Sequence, residues 1–389
     1  MLSAEPLRAI PSDDLEVRLV QGIGAIEAAA WDACVEGDDP FVRHGFLAAL
    51  EESGSATRET GWMPLHITVV RGDELLACAP LYLKSHSYGE YVFDWGWAHA
   101  YERAGGKYYP KLQLSVPFTP VPGPRLLVRP DAAPARDVLI QGLVSAAHQL
   151  EVSSLHVTFC REDEWAALGR GGLMQRTGVQ YHWHNRGYRD FQDFLDACRS
   201  GRRKTMRKER ERVRAQGVEM EVLSGAEITP AIWDVFYPFY LRTVDKRWGS
   251  AYLTKRFFQR LGERMADHVV LVMARHHGRY VGGALNLRSG NALYGRIWGC
   301  RQSFDFLHFE ACYYSAIEYA IRTGLARVEA GAQGQHKLHR GYEPVPTYSA
   351  HWIRDAGFEE AVGRFLDQER REMALEREQL KELLPFRQD

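Results

Sequence analysis

The same order of predicted elements occurs in both halves of this 389-residue chain, and this repetition limits the folds available to it. In the first half, residues 66–84 read as an apolar strand, a Gly-Asp turn and a second apolar strand. An amphipathic helix and the strand-like segment 154–160 follow. In the second half, residues 268–299 read as three strands, followed by a helix and the strand-like segment 326–331. The sequence therefore predicts hairpin strands, a helix and a further strand, twice.

Two domains are expected from this pattern, because 389 residues is long for a single hydrophobic core. The apolar pattern breaks near residues 180–189, which predicts domains of residues 1–185 and 186–389. Each is expected to be an α+β unit with a mixed, mostly antiparallel sheet flanked by helices. The second domain also has a basic helix at its start and a charged helix over residues 357–384 at its end. The expected packing residues of that last helix are Phe365, Leu366, Met373 and Leu375.

Composition and charge exclude some functions for the chain as a whole. The formal net charge is −1, so no global field attracts nucleic acid or an anionic membrane, and any such attraction has to be local. No segment approaches the roughly 18 consecutive apolar residues of a membrane span, and the acidic N-terminus lacks the apolar run of a signal peptide. The six cysteines are scattered without a C-x-x-C pair. We therefore expect a cytoplasmic protein with reduced thiols.

Polar side chains concentrate in residues 329–351, directly after the last strand of the second predicted core. A strand that ends in small residues and is followed by donors and cations suits the close approach of an anionic or carbonyl-bearing ligand. The alternative is a polar surface loop. The polar residues of this segment include Gln333, His336, Lys337, His339, Arg340, Tyr342, Tyr348, Ser349 and His351.

A second concentration of charge lies in residues 199–214, where nine basic residues face only Glu209 and Glu211. In a helix, four of the arginines form one stripe at i, i+4, i+7 and i+11, and such like charges weaken the helix unless an anion is bound. The segment is therefore a possible contact for phosphate or an RNA backbone, or else a solvated helix that pairs with its own glutamates. The stripe consists of Arg203, Arg207, Arg210 and Arg214.

Three segments of the chain resemble a known family. They are YGEYVFDWGWAHAYERAGGKYYPKL at residues 88–112, TVDKRWGSAYLTKRFF at residues 243–258, and GAQGQHKLHRGY with TYSAHW within residues 331–352. In this order they are similar to motifs of the FemAB-like N-acyltransferases, a branch of the GNAT (Gcn5-related N-acetyltransferase) superfamily. The resemblance runs from about residue 40 to the final helix.

The resemblance implies a tandem GNAT fold and transfer of an acyl or aminoacyl group to an amine in the cleft between the domains. The co-substrate would be acyl-CoA or aminoacyl-tRNA, with no tightly bound cofactor, and the family suggests acceptors of the peptidoglycan type. Two alternatives stay open: an acetyl-CoA-dependent acetyltransferase of a small amine, and a non-catalytic recognition protein for a cell-wall precursor or RNA. The sequence does not indicate an oligomeric state.

The resemblance also assigns a donor site to the second domain. GNAT enzymes bind the pyrophosphate of acyl-CoA on a glycine-rich loop at a helix N-terminus. The equivalent residues 300–310 keep Arg301 and Gln302 but replace the glycines by bulky residues and by Asp305, which repels phosphate. Ordinary CoA binding in that loop is therefore not expected. The candidate donor-binding residues are Arg301, Gln302, Gln333, His336, Lys337, Arg340 and Tyr342.

Catalytic and acceptor-binding residues are predicted from residue type and position. Acyl transfer to an amine requires a base for the ammonium and an acid for the leaving group. The base candidates are Glu310, His308 and Glu329, and the acid candidates are Tyr342 and Tyr348. Residues 88–111 combine aromatic side chains, carboxylates and a lysine, which suits a polar amine, although residues 91–97 also read as a half-buried strand. The candidate acceptor-binding residues are Asp94, Trp97, His99, Tyr101, Tyr108, Tyr109 and Lys111.

No metal site is predicted. The pairs His182/His184 and His336/His339 have spacings that metal ligands adopt, but no cysteine or carboxylate occurs at matching spacing. Lys337 and Arg340 would also repel a cation. The expected partners are therefore an amine-bearing acceptor and an organic donor, with tRNA as one possibility.

Overall fold

The fold is described from a computed structural model, which covers residues 14–247, 251–332 and 334–387. The chain divides into two compact units: residues 1–178 with 347–373, and residues 179–346 with 374–389. We call them unit 1 and unit 2. The boundary at residues 185/186 stays a prediction.

Unit 1 contains two sheets and the helices packed on them. Its strands are β1 (Leu15–Val20), β2 (Trp62–Pro64), β3 (His66–Arg71), β4 (Glu74–Ala79), β5 (Leu81–Lys84), β6 (Lys111–Leu114), β7 (Leu127–Val128) and β8 (Ser154–Cys160). Its helices are α1 (Ala28–Asp32), α2 (His44–Glu52), α3 (Trp95–Arg103), α4 (Ala135–Gln149) and α5 (Glu162–Arg170).

The predicted hairpin, helix and strand all occur in unit 1. Strands β3 and β4 pair antiparallel across the Gly-Asp turn, and β5 pairs antiparallel with β6. Helix α4 then leads into β8, which pairs parallel with β6. The helix buries Leu139 and Leu143 completely, as the 3.6-residue period predicts, because its apolar face packs against the sheets.

Unit 2 repeats this order with different residues. Its strands are β9 (Met174–His184), which begins in unit 1, then β10 (Val218–Ser224), β11 (Val269–His276), β12 (Arg279–Arg288), β13 (Ala292–Cys300) and β14 (Arg327–Glu329). Its helices are α6 (Phe191–Ala197), α7 (Ser200–Ala215), α8 (Pro230–Arg247), α9 (Lys255–Met265), α10 (Leu307–Phe309) and α11 (Ser315–Thr323). A π-helical segment, Glu310–Tyr314, joins α10 to α11, and a 3-10 helix covers Gln335–Arg340.

Strands β10 to β13 pair antiparallel in sequence order, β14 pairs parallel with β13, and β9 pairs antiparallel with β14. Helix α11 buries Ala316, Ile317 and Ala320 against this sheet, as its period predicts. The predicted α+β class with mixed, mostly antiparallel sheets is therefore confirmed.

The last two elements are β15 (Glu343–Ile353) and α12 (Ala356–Lys381). Residues 348–353 of β15 pair antiparallel with β8, so a late segment of the chain completes the sheet of unit 1. In unit 2, residues 182–184 of β9 hold the corresponding place beside β14. The parallel pair β6–β8 is thus flanked by β15, and the parallel pair β13–β14 is flanked by β9. Neither β15 nor β9 belongs to the repeated series of hairpin, helix and strand.

One alternative interpretation and one prediction about local structure were wrong. The strand interpretation of residues 91–97 fails because α3 begins at Trp95, where helix-forming residues let Trp97 and Ala98 bury one face. In α12, Leu366 is buried, but Phe365 and Leu375 are 49% and 66% exposed. The buried face of α12 instead includes Val362 and Leu380. In a long, mostly charged helix, several sets of apolar residues have helical spacing, so the spacing alone does not identify the buried set. Among the described helices, none combines the length and apolar character that a bilayer span requires.

The two adjacent apolar residues of α12 provide a stability test. Leu366→Ala should lower the free energy of unfolding by about 2–5 kcal/mol, because it leaves a cavity in the core. Phe365→Ala should change it by no more than about 0.5 kcal/mol, because this side chain is exposed. Urea denaturation of both variants measures the difference, and equal destabilisation would contradict the orientation of α12.

Candidate active site

Four charged side chains form a buried cluster in unit 1. Lys84 and Lys111 are directly opposite, at the end of β5 and the start of β6, which brings two amines together. The Lys111 ammonium donates to Glu90 Oε2 at 2.7 Å and to the Asp94 carboxylate, and Lys84 Nζ lies 3.8 Å from Glu90 Oε1. All four are at most 4% exposed. Two carboxylates thus offset two like charges that would otherwise repel each other across the strands.

The protonation states of the four groups differ. Burial lowers the pKa of Lys84 to about 6 and raises the pKa of Glu90 to about 7. Burial also opposes ionisation of Asp94, but the Lys111 ammonium outweighs it and holds the pKa of Asp94 well below its usual range. Near neutral pH, Lys111 and Asp94 are therefore the fully charged pair, and Lys84 and Glu90 are close to their titration points.

A chain of hydrogen bonds extends from this cluster through two histidines. Tyr108 donates its hydroxyl proton to Asp94 at 2.7 Å, and His156 Nε2 lies 3.2 Å from the same hydroxyl. The Nδ1 atoms of His156 and His351 are 2.8 Å apart, so one of them carries a proton and donates it to the other. Burial lowers the pKa of His156 to about 3 and that of His351 far below normal, which keeps both rings neutral. The predicted residues Asp94, Tyr108 and Lys111 therefore lie in one network.

The other predicted acceptor residues surround this network at increasing distance. Trp97 is buried against the two histidines, and the Tyr109 hydroxyl lies 2.9 Å from Ser87 Oγ, which accepts a hydrogen bond from Lys111. Tyr101 packs edge-on against Tyr108 and is not hydrogen-bonded to the cluster. His99 is exposed on α3.

The three base candidates lie in unit 2, whereas the acid candidate Tyr348 lies on β15 in unit 1, with its ring 5.1 Å from that of Trp165. Glu310, in the π-helical segment, is buried and receives hydrogen bonds from Arg210 Nε and Nη2 on both carboxylate oxygens. As a base it would first have to leave this ion pair. His308 is half-buried, with its ring 5.4 Å from that of Tyr313.

Glu329 lies where the two parallel strands of unit 2 separate. Strand β14 pairs with β13 over only three residues, ending at the pair Tyr294 and Glu329. Beyond it, β13 continues to Cys300, whereas residues 330–331 stay hydrogen-bonded to Tyr181 of β9. Within the described ranges no strand pairs with residues 295–300 on that side. We call this opening the fork.

The Glu329 carboxylate has one oxygen available at the fork. Its Oε1 accepts a hydrogen bond from Arg327 at 2.8 Å, whereas Oε2 is buried without a hydrogen-bond partner. The Nε2 atom of His182 also has no hydrogen-bond partner and lies 3.6 Å from Oε2, because the two residues are directly opposite on β14 and β9. Burial raises the pKa of Glu329 and lowers that of His182 to about 3. Such an arrangement suits a proton acceptor.

Lys337 holds one side of the fork in place. Its ammonium donates to the backbone oxygens of Ala330 and Gly331, the residues that follow β14. Burial lowers the pKa of Lys337 to about 8. Gly331 adopts a left-handed conformation with φ of 72°, which allows the chain to turn away from β13.

Arg340 and His336 contact the π-helical segment and not the fork. Arg340 Nη2 donates to both oxygens of Glu209 at 2.8 Å, and its Nε donates to the Tyr314 hydroxyl at 3.0 Å. His336 Nε2 lies 2.9 Å from the Tyr313 hydroxyl. Tyr342 is buried beside Tyr313, with ring centroids 5.4 Å apart.

The loop that precedes α10 is filled by the protein itself. Arg301 and Gln302 are exposed, and the candidate Gln333 lies outside the described residues. The backbone N–H of Asp305 donates to Gln216, and the Asp305 carboxylate accepts from Arg212 at 3.1 Å. The loop therefore lacks the open set of backbone donors that a pyrophosphate needs.

The basic segment is helical, as predicted, but most of its stripe is paired. Arg203 contacts Asp196 at 3.1 Å, Arg207 donates to Gln192 at 2.8 Å, and Arg210 contacts Glu310 and Glu318. Arg214 is exposed. Within the described ranges, no group of three or more histidine, cysteine or carboxylate side chains is placed to hold a metal ion.

Sequence reasoning missed Lys84 and His156, and it considered His182 only as a metal ligand and Glu209 only as a local ion-pair partner of the basic helix. A usable signal existed for two of them. Lys84 ends an apolar run and His156 interrupts one, and a polar residue in such a run is either paired or functional. Glu209 and His182 gave no such signal, because their partners are distant in sequence.

Comparison with known proteins assigns the chain to a family. The model of the FemAB-like family, described as acting in peptidoglycan biosynthesis or recognition, matches residues 22–388, and the chain belongs to this family. FemX has 12% identity and a TM-score of 0.53, with 87% of this chain and 98% of FemX covered. The C-terminal domain (DUF2156) of a protein described as a lysylphosphatidylglycerol synthetase, from Agrobacterium fabrum, has 11% identity and a TM-score of 0.54, with 87% and 95% covered.

A tandem GNAT protein from the clavulanic acid biosynthesis pathway has 11% identity and a TM-score of 0.44, with 87% of this chain and 98% of that chain covered. No curated protein matches by sequence. Together with the repeated hairpin, helix and parallel strand pair, the family assignment confirms the predicted tandem GNAT fold.

Removing the buried ammonium of Lys111 should destabilise the protein strongly. Lys111→Met leaves Glu90 and Asp94 without their main counter-charge, which should lower the free energy of unfolding by about 3–5 kcal/mol. Lys107→Met, at an exposed lysine near β6, is the control and should change it by less than about 0.5 kcal/mol. Urea denaturation at pH 7 measures both, and similar values would contradict the buried pairing.

Glu90→Gln should flatten the pH dependence of stability between pH 4.5 and 6. The folded-state pKa of about 7 lies above the ordinary 4.5, so the folded protein binds more protons than the unfolded chain in this window. Glu90 should therefore contribute a fall of roughly 2 kcal/mol in the free energy of unfolding of the wild type as pH rises through this window. Lys84 stays mostly protonated over the lower part of the window, because its pKa of about 6 lies at the upper end. Exposed Glu102→Gln is the control, and an unchanged slope in Glu90→Gln would contradict the assignment.

Proposed function

We propose that this protein is an N-acyltransferase that moves an acyl or aminoacyl group from an activated donor to an amine, with the reaction at the fork of unit 2. The supporting observation is the position of Glu329. Its buried, partnerless Oε2 lies at the point where β13 loses its parallel neighbour. A carboxylate with a raised pKa beside an unpaired strand edge combines a base with a binding surface for an extended, amide-bearing ligand.

The proposed reaction needs one proton transfer before attack and one after it. Glu329 Oε2 accepts a proton from the acceptor ammonium and releases it to solvent, and the free amine attacks the donor carbonyl carbon to give a tetrahedral oxyanion with a positively charged nitrogen. Glu329 then takes the second proton from this nitrogen. Collapse of the intermediate forms the amide and breaks the bond to the thiol or ribose oxygen, and that leaving group receives the second proton. Arg327, which donates to Oε1 at 2.8 Å, keeps the carboxylate oriented. His182, 3.6 Å from Oε2, supplies no competing charge, because its ring is neutral.

Lys337 and the loop before α10 restrict the ways in which the acyl donor can bind. Lys337 fixes the carbonyl groups of residues 330–331 on one side of the fork, so the opening is preformed. The filled loop around Asp305 supports a donor that binds without a pyrophosphate on that helix start. Both acyl-CoA held in another way and aminoacyl-tRNA satisfy this condition.

In this proposal the buried network of unit 1 organises residues for the amine acceptor. Lys111 and Asp94 fix the segment before α3, and Trp97, Tyr101 and His99 follow on that helix. A peptide-type amine of cell-wall chemistry is the acceptor class that the family description supports.

Replacement of Glu329 tests the proposed reaction centre. Glu329→Gln keeps the shape and removes the base, so kcat/KM should fall by about 10²–10⁴ with either acetyl-CoA or aminoacyl-tRNA as donor and amino acids or peptides as acceptors. The wild-type rate should decrease as pH falls through the raised pKa of Glu329, because the protonated carboxyl is no longer a base.

Glu343→Gln is the matched control, because Glu343 is a partly exposed glutamate of unit 2 that pairs with Arg186 at 2.7 Å, on the polar rim of the protein. It should retain wild-type turnover. Equal turnover in Glu329→Gln and the wild type would refute the assignment of the base. Absence of transfer from both donors to all acceptors would refute the proposed activity.

A further inference from the structure

A cavity of about 120 Å³ lies in unit 2 beside helix α7 and the 3-10 helix Gln335–Arg340. It is much larger than the roughly 10–15 Å³ that a single water molecule requires. Neither the fork nor the loop before α10 contributes a residue to it. Its polar lining residues are Arg202, Thr205, Glu209, Tyr314, His339 and Arg340.

One wall of the cavity is a neutral, rigid ion pair. Arg340 Nη2 donates to both oxygens of Glu209 at 2.8 Å, and the Tyr314 hydroxyl donates to Glu209 as well. The remaining nitrogens of Arg340 donate to Tyr314 and to the backbone oxygen of His336. The Glu209 carboxylate is therefore offset by Arg340, and this wall adds no net charge.

Arg202 supplies the excess positive charge. Unlike its neighbour Arg203, which contacts Asp196 at 3.1 Å, Arg202 has no carboxylate within ion-pair distance in the described part of the chain. Thr205 also lines the cavity, one turn further along α7, but its hydroxyl proton is used by the backbone oxygen of Gly201. The guanidinium of Arg202 is therefore the cation that is available to a ligand.

His339 adds a group that can respond to an anion. Its Nδ1 atom is buried without a hydrogen-bond partner. Burial, together with the positive charges of Arg202 and Arg340, lowers the pKa of His339 and keeps the ring neutral. An anion in the cavity would offset these charges, so the ring could take up a proton beside the ligand.

We propose that this cavity binds one phosphate group, held by Arg202 and His339 against the Arg340–Glu209 wall. The guanidinium offers paired donors that match phosphate oxygens, and a cavity of about 120 Å³ admits a group of that size. That the phosphate belongs to the acyl donor rests on the proposed function; the phosphate site itself does not. Phosphate is the chemistry that CoA and RNA share.

Isothermal titration calorimetry with inorganic phosphate at low ionic strength tests the site. Arg202→Gln should weaken phosphate binding by about tenfold or more, because it removes a charge-assisted hydrogen bond. Arg203→Gln should bind like the wild type, since Arg203 is paired with Asp196. The phosphate affinity of Arg202→Lys, which keeps the charge, should lie between those of Arg202→Gln and the wild type. This variant is the control for loss of binding through misfolding. Equal binding by the wild type and Arg202→Gln, or equal loss in Arg203→Gln, would overturn the proposal.

Proton uptake provides a second readout. Titrations in two buffers with different ionisation enthalpies should show a larger proton uptake in the wild type than in His339→Asn, because the change in the protonation of phosphate itself is common to both proteins. Equal proton uptake in the two proteins would overturn the role of His339.

Competition between phosphate and CoA, or between phosphate and a short single-stranded oligoribonucleotide, then distinguishes the two sources. If neither competes, the assignment to the donor is wrong although the phosphate site stands. Phosphate binding that depends on Arg202, together with unchanged turnover in Glu329→Gln, would refute the proposed reaction centre and leave the phosphate site intact.

Discussion

The short parallel pairing of β13 with β14 is the constraint on which the proposed reaction centre of unit 2 depends. Three residue pairs hold these strands together, and then Tyr181 keeps the end of β14 on the side of β9. Lys337 stabilises that separation through the carbonyl groups of residues 330–331. Glu329 is placed at the opening because it is the last paired residue, and its burial follows from the same pairing.

Buried charge is managed in the same way in both units. Lys111 with Asp94 in unit 1 and Arg340 with Glu209 in unit 2 are cations enclosed by acceptors, because an unpaired buried charge costs several kcal/mol. Groups that depart from this rule are informative. Glu329 Oε2 lacks a hydrogen-bond partner and Arg202 lacks a counter-charge among the described residues, and the proposed reaction centre and the proposed phosphate site are built on these two groups.

Much of the fold was predictable from hydrophobic periodicity. Which polar residues lie together in the structure was only partly predictable. Leu139 and Ile317 were placed inward because a 3.6-residue period identifies one helix face. Asp94 and Lys111 were selected together, but their complete burial was not foreseen, since charged residues near turn formers usually indicate an exposed segment. The basic stripe was predicted as a helix, yet the pairing of Arg210 with Glu310, which lies 100 residues away in sequence, leaves no local pattern.

The sequence by itself determined the elements of this protein: two series of hairpin, helix and strand, and motifs that identify the family. Hydrophobic period and turn chemistry are local properties, so they can be read from neighbouring residues. Only the tertiary structure decided that Glu329 faces His182, that His156 meets His351, and that Arg202 remains unpaired while Arg203 does not. These relations depend on strand register and helix packing, which bring together residues far apart in sequence and thereby set burial, charge balance and protonation.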